Sequence, residues 1–248
     1  MTAATLQREL RRLGNPDRAR ISQWFFKTGP GEYGEGDRFI GLSVPQVRKL
    51  AKQYRQLSLP ETKRLLRSPI HEERLLALLL LVSAFGTADE DVQRRIYVAY
   101  LRSTRYINNW DLVDCSAEHI VGAFLRERSR APLLRLARSA SLWDRRIAIL
   151  ATFHFIKRSE FAPTLRIARR LLRDREDLIH KAVGWMLREV GKRDRATEET
   201  FLRQHYRQMP RTMLRYAIER FPERLRQRYL RGSLTATPAT GLAGIRLT

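Results

Sequence analysis

Apolar residues recur along this chain at intervals of three and four, the period of one helical face. Leu6, Leu10 and Leu13 open the pattern, and Pro16 starts a second segment reaching about Phe26. Ser43-Val44-Pro45 reads as an N-cap with proline in the first turn, ahead of a stripe of Val47, Leu50, Ala51 and Tyr54. Thr87 and Glu90 stand at capping-box spacing before Val92, Ile96 and Tyr100. Further helical segments centre on 110–124, 142–157, 161–172, 177–190, 197–206 and 212–221. No stretch alternates apolar and polar residues over a strand length between hairpin turns. The pattern predicts an all-α chain.

The segments are short, regularly spaced and joined by a few polar residues. That cadence suits two-helix units of the HEAT-like kind stacked into a superhelical solenoid, whose concave surface would match a duplex if it carried the basic residues. Two stretches break the rhythm. Residues 27–41 hold five glycines and a proline and are expected as an ordered loop. Residues 232–248, rich in Thr, Ala, Gly and Leu, are expected as a flexible tail after a single domain over 1–231.

Charge narrows the function. Lys and Arg total 48 against 26 Asp and Glu, a formal +22 with an isoelectric point near 11.2. Such a field attracts polyanions, and arginine pairs with phosphate through a planar fork of donors. The charge is spread along the chain rather than gathered on one amphipathic helix, which argues against a membrane-surface role. The longest apolar run, Leu75 to Val82, is too short to span a bilayer, and the polar start resembles no signal peptide. The expected compartment is the cytoplasm, and the expected form a monomer. Cys115, alone, excludes an internal disulfide and reads as a packing residue.

Three clusters could carry chemistry. In Asn108-Asn109-Trp110-Asp111-Leu112-Val113-Asp114, an asparagine cap places Trp110 and Asp114 one turn apart on one face. The pair offers an apolar wall with a π-face beside a fixed negative charge; the same residues also read as a core indole and a helix-start carboxylate. In His180–Glu189, Lys181, Trp185 and Arg188 share a helix face around Gly184, which suits either a close ligand or close helix packing. Arg145 and Arg146 follow Trp143, and Arg211 and Arg215 follow Pro210, placing more cations in first helical turns. The five histidines lack zinc-protease spacing, and no phosphate-binding glycine loop or serine-nucleophile elbow is present. No metal, nucleotide or other cofactor is expected.

Read in order, FFKTGPGEYGEGDRFIG, NNWDLVD, SLWDRRIAIL, HKAVGWMLREVGKRD and MPRTMLRYAIER resemble the AlkD-type family of DNA alkylation-repair glycosylases, over about Trp24 to Phe221. The resemblance implies a HEAT-like superhelix with a concave, basic, duplex-binding face. It implies removal of positively charged N3- and N7-alkylpurines from double-stranded DNA, without extrusion of the base. By position, Asp114 matches the catalytic aspartate, and Trp110 and Trp185 match the two tryptophans flanking the deoxyribose. Arg146 matches an arginine on the DNA backbone. A family tyrosine falls on Phe25, which keeps the ring and loses the hydroxyl. Lys181, Arg188 and Arg215 complete the expected DNA-facing set. The alternative is a non-catalytic module of the same fold that binds damaged or branched DNA.

Overall fold

The computed structural model describes residues 1–234, which build an all-α solenoid. Helices run α1 (Ala3–Arg12), α2 (Pro16–Phe25), α3 (Val44–Gln53), α4 (Leu59–Leu66), α5 (His71–Thr87), α6 (Glu90–Leu101) and α7 (Trp110–Asp114). They continue as α8 (Ala131–Leu136), α9 (Leu142–Ala151), α10 (Phe153–Ile156), α11 (Ala162–Leu171), α12 (Asp177–Gly191), α13 (Arg195–His205), α14 (Arg211–Ala217) and α15 (Glu223–Arg231). Among the described residues no helix is long and apolar enough to cross a membrane.

Two rows of helices make up the middle and end of the molecule. Helices α7, α9, α12 and α14 lie side by side as one row. Helix α8 packs on α9, α11 on α9 and α12, and α13 on α12, forming a second row behind the first. The two rows share an uninterrupted core that includes Ile147, Ile149, Phe155, Ile167, Val183, Met186 and Leu202.

Local chemistry explains most element boundaries. Pro16 and Pro45 sit in the first turns of α2 and α3, and the Ser43 amide is capped by the Gln46 side chain at 2.9 Å. Asp89, not Thr87, caps α6, accepting the Val92 amide at 2.8 Å; Thr87 instead ends α5. The expected helix over 110–124 breaks after Asp114 and resumes as a π-helical turn at Glu118–Gly122, and that over 142–157 breaks at Thr152.

Helix α5 escaped the periodicity reading. It is buried on every side, from His71 and Arg74 to Leu81 and Phe85, so it carries no apolar stripe to recognise. Its first turn organises the N-terminal half. Glu72 accepts the amides of Ile40, Gly41 and Leu42 at 2.7–3.2 Å, while Glu73 receives Gln7 at 2.6 Å and Arg11 at 3.3 Å. The tail expected over 232–248 lies, beyond Leu234, outside the described residues.

Candidate functional site

The site begins at the glycine-rich loop. Residues 27–41 are ordered, with Gly31, Gly36 and Gly41 in the left-handed region. At Gly41 a Cβ would sit 2.0 Å from the Asn15 carbonyl, so α2 can close on the loop only over glycine. The loop buries Asp37 beneath α5. There His71, 2% exposed in its side chain, donates Nδ1–H to Asp37 Oδ2 at 2.7 Å and Nε2–H to Asp111 Oδ2 at 2.8 Å. Each ring nitrogen faces a carboxylate, so both carry protons and the ring is an imidazolium. Burial is the largest single influence and opposes the charge, but the charges and hydrogen bonds of Asp111 and Asp37 together outweigh it and raise the pKa to about 9. Arg74 holds the other Asp37 oxygen at 2.8 Å, and Asp37 stays below the usual carboxylate range despite its burial.

This charged pillar joins the loop, α5 and the start of α7. Asn109 caps α7 by accepting the Trp110 amide at 2.8 Å. The Trp110 indole stacks on Phe26 (5.2 Å between centroids, 24° between planes) and meets the edge of Phe25 at 5.9 Å. Phe26 stacks in turn on Phe39, and Phe39 on the His71 ring. Phe25 itself is 55% exposed, so one face of the aromatic wall is open to a ligand.

One turn after Trp110, Asp114 projects toward α9. Arg146 grips both its oxygens, Nε to Oδ1 at 2.8 Å and Nη2 to Oδ2 at 2.7 Å, and donates Nη1–H to the Leu178 carbonyl of α12 at 2.6 Å. A single guanidinium therefore ties α7, α9 and α12 together. Arg146 is nearly buried and committed to these acceptors, whereas the Asp114 side chain remains 19% exposed. Burial raises the Asp114 pKa above its ordinary value, Arg146 pulls it back, and the neighbouring Asp111 adds to the rise. Arg145, the other arginine of this turn, is clamped on Asp174 at 2.6 and 3.2 Å.

Trp185 sits on α12, half-buried, with its indole N–H on Glu189 at 3.2 Å and its edge toward Phe153 at 6.0 Å. Lys181, one turn earlier, pairs with Asp177 at 2.8 Å. Arg188 is drawn to Glu219, whereas Arg215 is exposed without an ion-pair partner among the described residues. Gly184 serves packing: a Cβ there would lie 2.4 Å from the Met213 carbonyl and 2.5 Å from Tyr216 Cβ, where α14 crosses.

Two contributors escaped the sequence reading. His71 gave no signal beyond being a histidine without metal spacing. Tyr33, inside the glycine-rich loop, lies edge-on to Trp143 at 6.2 Å. Burial raises the pKa of its hydroxyl, opposed by Trp110 and the charge of Lys181, and its ring contact carries the loop to α9. Among the described residues no cluster of three or more His, Cys, Asp or Glu could hold a metal ion.

A family model for the DNA alkylation repair enzyme matches residues 6–221, most of the chain and every element of this site. The chain belongs to the DNA alkylation repair enzyme family. No curated protein matches the sequence. Among solved structures, one described as a predicted DNA alkylation repair enzyme from Enterococcus faecalis superposes with a TM-score of 0.65 at 15% identity. It covers 85% of this chain and 97% of its own. At that identity the likeness establishes the fold, while the family match assigns a role in DNA repair.

Proposed function

We propose that this member of the DNA alkylation repair family is a monofunctional DNA glycosylase. It hydrolyses the N-glycosidic bond of positively charged N3- or N7-alkylpurines in duplex DNA. The observation that carries the reading is Asp114: a carboxylate in a mostly dry setting, held in one orientation by Arg146, one helical turn from the open aromatic wall at Trp110.

Alkylation at N3 or N7 places a positive charge on the purine, so the base departs as a neutral molecule and takes the bonding electron pair with it. The barrier lies in the charge left on the sugar. A pre-oriented carboxylate stabilises that oxocarbenium-like state without reorganising at the moment of reaction. Arg146 occupies one lone pair on each Asp114 oxygen, leaving others free to face the sugar and to orient water. Water then bonds to C1′ and its proton passes by way of the carboxylate to solvent, leaving an abasic site. Trp110 and Trp185 supply indole faces against the cationic sugar, and Phe25, Lys181, Arg188 and Arg215 contact the duplex around it. The base stays stacked throughout, so bulky adducts remain substrates.

One carboxylate without a partner acid cannot expel a neutral base efficiently. Release should therefore be seen for N7-methylguanine or N3-methyladenine and not for uracil in the same duplex context. Equal release of the neutral base would contradict a mechanism resting on leaving-group charge.

A further inference from the structure

The chain carries far more positive charge than the Asp114 site uses. On the second row, α8, α11 and α13 enclose a groove of about 630 Å³ lined by Arg138, Arg166, Arg169, Arg170, Arg173 and His205. No acidic residue lines it. All five arginines are exposed, and none of their side chains has an ion pair or hydrogen bond among the described residues. On the first row, Arg145, Arg146, Lys181 and Arg188 are each engaged by a carboxylate, and Arg215 alone of the expected DNA-facing cations is unpaired among the described residues. The acids that flank α11 in sequence are already taken, Asp174 by Arg145 and Glu160 by Arg130.

The pattern on α11 is directional. Its buried positions, Thr164, Ile167, Ala168 and Leu171, face the core against α9 and α12, whereas Arg166, Arg169 and Arg170 lie on the other face and Arg173 follows just past the helix end. Within the helix, Arg166 to Arg170 span roughly 6 Å, about two nucleotide steps along one DNA strand, and Arg173 extends the row. His205 adds a ring nitrogen, Nε2, buried without a partner. Burial and the charge of Arg169 push its pKa down, so it enters the groove as a neutral group with hydrogen-bonding capacity to spare. A lipid surface fits less well, because none of the exposed large hydrophobic side chains lies on α8, α11 or α13.

We propose that this groove is a second DNA-backbone contact, on the far side of the helical row that carries Asp114. It takes the phosphates of another duplex segment while the first is engaged. The contact is electrostatic and independent of sequence and of damage, so it would let the protein bridge or pass between segments. It does not depend on the glycosylase chemistry proposed above.

The test uses the full chain with two undamaged duplexes carrying donor and acceptor dyes. Wild type should bring them together at low salt, and the signal should decay steeply with added salt. The combined Arg166→Ala, Arg169→Ala, Arg170→Ala and Arg173→Ala variant should still bind one duplex but lose bridging, with the second binding event weakened at least ~10-fold and its log–log salt slope reduced by roughly 3 to 4. The corresponding fourfold lysine variant should retain bridging, which guards against a folding artefact. Single-turnover base release by the alanine variant should match wild type, keeping this outcome separate from that of the catalytic reading. Bridging that persists in the alanine variant, its absence in wild type, or capture of phosphatidylserine vesicles at salt concentrations where duplex is not held would overturn the assignment.

Discussion

The buried imidazolium of His71 ties a protonation state to the integrity of the candidate site, and its contribution can be worked out. The ring sits between Asp37 and Asp111 at 2.7 and 2.8 Å, and its pKa of about 9 stands above the 6.5 of an exposed histidine. A group whose folded pKa is raised stabilises the fold fully below its unfolded value and loses that contribution as pH rises through the folded one. The window here runs from about pH 6.5 to 9, and the difference corresponds to about 3 kcal/mol. His71→Gln keeps hydrogen-bonding capacity but removes the charge, leaving Asp111 facing a neutral group while Asp37 retains Arg74. Urea unfolding of wild type and variant at pH 6 and pH 10 isolates the effect, because other titrating groups cancel in the difference. The variant should be less stable by about 3 kcal/mol at pH 6, and the gap should close by most of that amount at pH 10. A gap of the same size at both pH values would show that the ring is neutral or that packing alone sets its worth.

Three further expectations concern neighbouring residues. Arg146→Met removes the charge opposing burial at Asp114, so the acid limb of the base-release profile should move to higher pH and release near neutrality should fall by roughly tenfold or more. An unchanged profile would mean that Arg146 does not govern this carboxylate. Gly184→Ala, normally favourable inside a helix, should cost about 1–3 kcal/mol in urea unfolding, because the methyl group meets the Met213 carbonyl and Tyr216 on α14; a neutral or stabilising result would show that the helices separate cheaply. Trp185→Ala should slow release of a cationic purine with little loss of affinity for undamaged duplex, and parallel losses in both would make the indole a general DNA contact.

The all-α class and most helices of the two rows were legible because their amphipathic stripes face a single core. An asparagine cap at 108 or 109, which the structure assigns to Asn109, the ordered glycine-rich loop and the Trp110–Asp114 spacing were readable from local chemistry. Helix α5 was not, since burial on all sides erases periodicity, and with it went the role of His71. Its partners lie 34 and 40 residues away in sequence, and no local pattern announces such a contact. The family resemblance implied a place at the DNA backbone for Arg146. Its placement shows a guanidinium engaged by Asp114 and the Leu178 carbonyl instead of one projecting into solvent. The paired state of Lys181 and Arg188 likewise depends on which carboxylates the fold brings near, and a count of charges cannot supply that.

The central claim is that Asp114 stabilises the charge developing on the sugar as an alkylated purine leaves. The most direct measurement is single-turnover release of N7-methylguanine from duplex DNA by wild type and Asp114→Asn, alongside equilibrium binding of the same duplex. Release by wild type, its loss in the asparagine variant and nearly unchanged affinity are the expected result. No release by a wild-type protein that binds the duplex would contradict the claim and favour a module that recognises damaged or branched DNA without cutting the glycosidic bond.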